Sequence, residues 1–144
     1  MSDDNKAIAA RALDCFSTGD VDSLDELVAP DAQDHDTQNP HRDTHGPEGP
    51  KKVVEMYRGA FPDLKLTVEE QIADGDMVAT RWVAVGTQDG DLPGLPATGR
   101  QSTVTGISID RIEDGKIAES WTNWDTLGMM QQLGAIPQAA EATA

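Results

Sequence analysis

The stretch STVTGISIDRIEDGKIAESWTNWD, residues 102–125, decides the fold of this chain. It contains two runs rich in β-branched and aromatic residues on either side of an Asp-Gly pair. Such runs are typical of strands, and Asp-Gly between them is a strong signal for a two-residue hairpin turn. We therefore predict strands over 102–112 and 116–125, joined by a turn at Asp114 and Gly115.

A second hairpin precedes this one. A period of two in the apolar residues predicts a strand over 64–72, and Asp74-Gly75-Asp76 predicts a turn into a return strand over 77–87. A loop rich in Gly and Pro over 89–99 connects the two hairpins. Together they form an antiparallel meander of four strands.

Helical spacing of apolar residues marks the rest of the chain. The predicted helices cover residues 3–17, 21–28, 47–60 and 126–133, and residues 31–50 are predicted to form a long loop or an irregular strand. Helices followed by a meander indicate an α+β fold. We expect a cone in which the curved antiparallel sheet wraps round three N-terminal helices and leaves an internal apolar pocket, the default ligand site. We expect one domain over residues 1–137 and a disordered Ala-rich tail over 138–144.

The composition excludes several classes of function. The chain has 144 residues, a formal net charge of −15 and 38% hydrophobic residues, and its pI is near 4.2. Such a charge repels phosphate backbones and anionic lipids, so we expect neither nucleic acid nor a membrane as partner. The single cysteine, Cys15, and an N-terminus without signal-peptide features favour a reducing cytoplasm.

The hairpin turn predicts which side chains share a face of the sheet. With an unbroken ladder from Asp114-Gly115, the pairs are Asp125 with Val104, Asn123 with Gly106, and Trp121 with Ser108. Cross-strand partners point to one side, so these six side chains are predicted to face the pocket. The opposite face would hold Thr105, Ile107, Ile109, Thr122 and Trp124. Trp124 would then be a candidate anchor for a dimer interface.

Asp125 is the residue that we single out, and position alone leaves two interpretations open. It ends an aromatic strand and precedes a predicted helix. An aspartate there commonly caps the helix by accepting backbone N–H bonds. It can equally be an inward carboxylate with a chemical function.

A cluster of possible metal ligands lies in the loop over 31–50. It contains Asp34, His35, Asp36, His41, Asp43 and His45. The spacing matches no recognised ligand motif, so we predict no metal site. His41 and His45 are interpreted as solvated loop residues, and only His35 is kept as a functional candidate.

Several segments carry a resemblance when they are read in order. The most specific are Phe61-Pro62-Asp63-Leu64 and the block DTLGMMQQLG over 125–134. With GPEG at 46–49, GDMVA at 75–79, PATG at 96–99 and DGKIAESW at 114–121, they resemble the SnoaL-like polyketide cyclase (ester cyclase) family of the nuclear-transport-factor-two-like superfamily. The resemblance runs from about Lys6 to Pro137.

The resemblance implies an α+β cone that assembles as a homodimer or higher oligomer such as a homotetramer. It also implies a cofactor-free intramolecular aldol closure of a polyketide ester, with a small apolar or aromatic carbonyl compound as substrate. The family's general acid/base, an aspartate at the end of the last long strand, maps onto Asp125. A pocket histidine in a D-H-x context maps onto His35.

Such a closure needs a base that removes a proton next to a carbonyl and then returns it to the new alkoxide. Burial against apolar surface raises a carboxyl pKa toward working pH, and Trp121, Phe16 and Tyr57 are candidates for that surface. Candidate donors to the enolate oxygen are Asn123, His35 and Gln88. Two alternatives remain: another isomerase or hydrolase that uses the same pocket, and a non-catalytic protein that binds a small ligand.

Overall fold

The computed structural model of the protein describes residues 2–137, in which four helices and five strands are arranged as an α+β fold. Their order is α1 Ser2–Thr18, α2 Leu24–Leu27, β1 Val28–Asp34, α3 Glu48–Ala60, β2 Lys65–Asp74, β3 Met77–Thr87, β4 Gln101–Glu113, β5 Lys116–Trp124 and α4 Thr126–Gln132. The predicted fold class is confirmed. The predicted tail over 138–144 lies outside the described residues.

The five strands form one sheet in the order β1-β5-β4-β3-β2. Four of them form the predicted antiparallel meander. The expectation of a purely antiparallel sheet is wrong, because β1 pairs with β5 in parallel. Residues 28–34, VAPDAQD, lack the clear period of two that marks a strand, and the prediction left residues 31–34 open between a loop and an irregular strand. Their extended conformation depends on the free edge of β5, which supplies the hydrogen-bond partners.

Arg58 of α3 links this helix to the end of α1. Its Nη1 donates to the carbonyl oxygens of Phe16 and Ser17, both at 2.9 Å. These carbonyls belong to the last turn of α1, where no intrahelical donor remains and a cation is favourable. The Ser17 hydroxyl also accepts from the Leu66 amide of β2 at 2.8 Å. The contacts hold the end of α1, with Phe16, against the sheet.

The hairpin between β4 and β5 turns where the sequence predicts. Asp114 and Gly115 have φ values of 53° and 76°, as a two-residue turn with a left-handed pair requires. Glu113 pairs with Lys116 across that turn.

A bulge then changes the register of this hairpin. Ile112 pairs with Ile117, whereas Arg111 pairs with Glu119, so Ala118 is an extra residue on β5. One extra residue reverses the faces of all the side chains that follow on that strand relative to their partners. The predicted pairing of 104–110 with 119–125 is therefore wrong by one residue.

The shifted register places polar residues on the concave face of the sheet. The observed pairs there are Gly106 with Trp124, Ser108 with Thr122, and Asp110 with Ser120. Ser108 and Asp110 are buried, whereas the isoleucines that alternate with them, 107 and 109, are exposed. This part of the sheet has polar groups inside and apolar groups outside, the reverse of a sheet that only covers a core.

Candidate active site

An internal cavity of about 200 Å³ lies between the concave face of the sheet and the helices. It is more than ten times the roughly 10–15 Å³ that one water occupies. Apolar side chains from α1, α3 and β2–β5 form most of its wall. The residues used below are Phe16, Asp34, Asp36, Tyr57, Trp82, Val104, Ser108, Asp110, Ser120, Thr122 and Trp124.

Asp110 of β4 is the most deeply buried carboxylate of the cavity, with 5% of the residue exposed. Its pKa is raised from 3.8 to about 6, chiefly by burial and in smaller part by the negative charge of Asp34, while a hydrogen bond from the Ser120 hydroxyl acts in the opposite direction. A carboxyl group with a pKa near neutral can accept a proton and return it at working pH. Asp110 therefore has the properties that the sequence analysis sought in Asp125.

Two further carboxylates, Asp34 and Asp36, lie on the β1 side of the cavity. The Asp34 carboxylate accepts from the Asp36 amide at 2.8 Å and from the buried Asn39 side chain at 2.6 Å. Burial raises the pKa of Asp36, and the neighbouring charge of Asp34 raises it further. No Lys, Arg or His is among the described residues that line the cavity. Its local field is therefore negative.

Tyr57 and Trp124 form an aromatic wall of the cavity. Their rings meet edge to face, with centroids 5.9 Å apart. Burial raises the pKa of Tyr57 to about 12, with a smaller contribution from the charge of Asp36. The phenol therefore stays neutral at physiological pH. Trp124 was predicted to anchor a dimer interface on the outer face, and this is wrong because the bulge turns its ring to the cavity.

A row of hydrogen bonds crosses the sheet beside Asp110. The indole Nε1 of Trp82 donates to the Ser108 hydroxyl at 3.1 Å. That hydroxyl is also 3.1 Å from the hydroxyl of Thr122. Both hydroxyls border the cavity.

Four of the predicted pocket residues line this cavity, namely Phe16, Tyr57, Val104 and Ser108. The other six are not among the residues that line it: Asp125, His35, Asn123, Trp121, Gln88 and Gly106. The bulge explains why Trp121 and Asn123 do not reach the cavity. It places them on the convex face, opposite Ile109 and Ile107.

Asp125 is exposed and caps helix α4. Its Oδ1 accepts from the Gly128 amide at 2.8 Å, which is the bond of an N-cap aspartate to the third helical residue. The carboxylate borders a shallow depression on the convex face and is not among the residues that line the internal cavity. The catalytic role predicted for Asp125 stays a prediction, and of the two interpretations this geometry favours the cap.

We expect Asp125→Ala to lower the free energy of unfolding by about 1 kcal/mol, because the Gly128 amide loses its acceptor. Asp125→Asn is expected to match the wild type, since asparagine caps equally well. Urea unfolding of the three proteins measures both effects. Equal stability of Asp125→Ala and wild type would contradict the cap.

His35 also lies on the convex face. Its ring stacks on Trp121 with centroids 5.1 Å apart, and its Nε2 is 2.7 Å from the Glu119 carboxylate. The expectation that His35 lines the pocket is wrong, because its neighbours Asp34 and Asp36 take the inward positions of this extended segment. Within residues 2–137, no group of three or more His, Cys, Asp or Glu side chains is arranged to hold a metal ion.

Gln88 and Gly106 have roles in the packing of the fold rather than in the cavity wall. The buried Gln88 side chain donates to the Leu95 carbonyl at 3.2 Å and accepts from the Thr98 hydroxyl at 2.8 Å, so it holds the loop between β3 and β4. Gly106 lies directly under the indole of Trp82, where a Cβ atom would overlap the ring. It gives Trp82 room to reach Ser108.

Six residues that line the cavity were not predicted to do so from the sequence: Asp110, Asp34, Asp36, Ser120, Thr122 and Trp82. One signal was present: Gly106, Ser108 and Asp110 alternate with isoleucines along β4. Small and polar residues at every second position of an apolar strand indicate a face with a special role. The predicted pairing without a bulge placed Gly106 and Ser108 in the pocket but did not include Asp110.

Known proteins resemble the chain over most of its length. The model of the SnoaL-like polyketide cyclase family matches residues 6–133. Aklanonic acid methyl ester cyclase DnrD of Streptomyces peucetius is 32% identical over 133 residues, which is 88% of each chain. Nogalonic acid methyl ester cyclase of Streptomyces nogalater is 31% identical and covers 85% of this chain and 91% of its own. The crystal structure of IdmH, a putative polyketide cyclase from Streptomyces antibioticus, superimposes with a TM-score of 0.77 at 36% identity, over 90% of this chain and 98% of that chain.

Proposed function

The chain belongs to the SnoaL-like polyketide cyclase family, and from this membership we propose that it closes a ring in a polyketide-like ester by an intramolecular aldol reaction. Asp110 is the acid/base of this proposal, and no cofactor takes part. The observation that carries it is the buried Asp110 carboxyl in the wall of an apolar cavity, with a pKa of about 6. We place the acid/base role at Asp110 rather than at Asp125, whose carboxylate caps α4 outside the cavity.

The proposed reaction conserves all atoms of the substrate. The Asp110 carboxylate removes a proton from the carbon between two carbonyl groups, and the electron pair of that C–H bond forms an enolate. The enolate carbon attacks a second carbonyl carbon of the same molecule, forms a C–C bond and leaves an alkoxide. Protonated Asp110 returns its proton to the alkoxide, so the carboxylate is regenerated.

The charge of the cavity favours an uncharged substrate. Three carboxylates border it, and the described lining residues include no cationic side chain. A free carboxylic acid would be ionised at neutral pH and repelled, whereas its methyl ester carries no charge. This agrees with the methyl esters in the names of the relatives DnrD and the nogalonic acid enzyme.

Solvent-deuterium uptake into aromatic β-keto methyl esters tests the proposal. We expect the wild type to accelerate exchange of the proton between the two carbonyls, and to act more slowly on the matching free acids. Exchange is the first half of the proposed reaction and needs no knowledge of the natural substrate. Tight binding of the esters without any exchange would contradict an enzyme and favour a ligand-binding protein.

We further propose that two copies associate through the convex face of the sheet. Ile72, Ala79, Ile109 and Trp121 are successive cross-strand partners on β2, β3, β4 and β5. Ile72 is 68% exposed and Ile109 is 38% exposed. Exposed apolar residues that form a continuous row across four strands indicate an interaction surface, unlike apolar residues scattered singly. In a two-fold symmetric dimer the same row of the second copy would cover it.

We expect sedimentation equilibrium to show dimers whose fraction rises with NaCl, because each copy carries a net charge of −15 and salt screens the repulsion. Ile109→Glu is expected to give monomers. Leu127→Glu, which changes an exposed apolar residue of α4, serves as the control and should remain dimeric. A wild type that is monomeric at every salt concentration would overturn this proposal.

A further inference from the structure

In the row of hydrogen bonds formed by Trp82, Ser108 and Thr122, one hydroxyl proton makes no hydrogen bond to the described part of the protein. An indole N–H can only donate, so Ser108 accepts from Trp82 at 3.1 Å. Ser108 and Thr122 then share a single hydrogen bond of 3.1 Å, in which one hydroxyl donates and the other accepts. In the described part of the chain neither hydroxyl has a further partner. The hydroxyl that accepts this shared bond therefore keeps its own proton available.

The burial of the two residues favours one direction for this row. Ser108 is 4% exposed and accepts from the indole behind it. Accepting one hydrogen bond strengthens a hydroxyl as a donor, so the favoured order is Trp82 to Ser108 to Thr122. Thr122 is only half-buried and borders the cavity, and its free O–H is the end of the row.

The position of Thr122 relative to the base suits a carbonyl substrate. Ser108 and Asp110 are two residues apart on one face of β4, and their cross-strand partners are Thr122 and Ser120. Thr122 and Asp110 are therefore diagonal neighbours on the two strands, and such neighbours are about 7–8 Å apart. A base above the carbon and a donor above the carbonyl oxygen of one enolisable group need a separation of this order.

We propose that Thr122 donates a hydrogen bond to the enolate oxygen, and that Trp82 and Ser108 are positioning residues that hold its hydroxyl in that direction. This inference rests on the proposed function, because it assigns the oxyanion site for the same reaction. The site is preorganised, since the row exists before any ligand binds, and such donors cost no reorganisation during the reaction. It replaces the candidates Asn123, His35 and Gln88, whose side chains point elsewhere.

Thr122→Val tests the donor, because valine has the same shape as threonine and lacks only the hydroxyl. We expect deuterium uptake into a β-keto methyl ester to fall about 100-fold, within the range seen when one oxyanion donor is removed. The midpoint of the pH–rate profile, which reports Asp110, should not move. Thr122→Ser should retain a rate within about threefold of the wild type. Ser108→Ala should lower the rate by about tenfold.

The outcomes separate the two proposals. Wild-type rates in Thr122→Val, with loss of exchange in Asp110→Asn, would overturn the oxyanion site and leave the proposed function intact. A loss in Thr122→Val together with an equal loss in Thr122→Ser, or with a displaced pH midpoint, would also overturn it, because packing rather than the hydroxyl would then be responsible. No exchange by the wild type would contradict the proposed function.

A binding measurement reads the same site without turnover. Asp110→Asn mimics the protonated base, and in this variant a hydrogen bond from Thr122 should stabilise the phenolate form of bound 4-nitrophenol. We expect the additional Thr122→Val change to raise the apparent pKa of the bound phenol by about one unit, a tenfold effect, followed by visible absorbance. Equal titrations in the two proteins, or no binding by either, would overturn the assignment.

Discussion

Asp110→Asn is expected to lower the rate of proton exchange about 1,000-fold and, at pH 8, to make the protein more stable. The loss of rate follows from removal of the base, whose contribution is typically 10²–10⁴-fold. In the wild type, kcat/KM should rise with pH through about 6 as the carboxyl group ionises. Asparagine keeps the shape and an acceptor for the Ser120 hydroxyl, so the fold should remain intact.

The gain in stability follows from the direction of the pKa shift. The pKa of Asp110 is raised in the fold from 3.8 to about 6, so the folded state binds this proton more tightly than the unfolded chain does. That contribution is fully present below about pH 3.8 and is lost as the pH rises through 6. Above pH 6 the buried charge costs about 3 kcal/mol, which the amide removes.

Urea unfolding of wild type and Asp110→Asn at pH 4 and pH 8 measures this effect. The difference between the two proteins should be small at pH 4 and should favour the variant at pH 8. Asp63→Asn is the control with the opposite sign, because hydrogen bonds from Thr87 lower the pKa of Asp63. That variant should be less stable than the wild type at both pH 4 and pH 8, because the stabilisation from ionised Asp63 is lost only as the pH falls below about 3.8. A variant of Asp110 that is destabilised at pH 8, or that keeps its rate, would contradict the assignment.

Gly106→Ala is expected to destabilise the protein by about 1–3 kcal/mol, the cost of overpacking a filled core. The new Cβ would overlap three atoms of the Trp82 indole ring, Cζ2, Cη2 and Cε2. The ring is 7% exposed and belongs to the main apolar cluster, so it has little room to move away. Displacement of the indole also breaks its bond to Ser108, and we expect deuterium uptake to fall at least tenfold.

Gly59→Ala is the matched control for this substitution. Gly59 lies in α3, where a Cβ atom would meet no heavy atom within 4 Å. Alanine is the better helix former, so stability should rise by up to about 1 kcal/mol and the rate should not change. Equal stability of Gly106→Ala and wild type would show that Trp82 can move freely. It would then contradict the claim that Trp82 holds the Thr122 hydroxyl in place through Ser108.

The reversed polarity of β4 connects the two proposals about this sheet. Ser108 and Asp110 of β4 face the cavity whereas Ile107 and Ile109 face solvent, an arrangement that is unfavourable in an isolated sheet. The proposed chemistry accounts for the inner face, since Asp110 and Ser108 are useful only inside the cavity. The proposed second copy accounts for the outer face by covering Ile109. The deuterium and sedimentation experiments test the two explanations separately.

The sequence by itself determined the order of the helices and of the four meander strands, the fold class and the family. Local signals were sufficient for these, because helical spacing, alternation and the Asp114-Gly115 turn depend on a few neighbouring residues. The motif blocks around Phe61 and Asp125 likewise resemble the family without reference to any contact. The register beyond the turn was not determined in this way, and with it the face on which each side chain lies.

Only the tertiary structure decided which residues form the cavity. The extra residue Ala118 reverses the inward and outward positions of β5, and no turn residue signals it. The strand β1 likewise depends on the free edge of β5, a partner more than 80 residues away in the chain. Both effects are long-range backbone pairings, and because the side-chain period of a strand is two, one residue of register turns Trp121 and Asn123 away from the cavity and brings Thr122 and Trp124 to it.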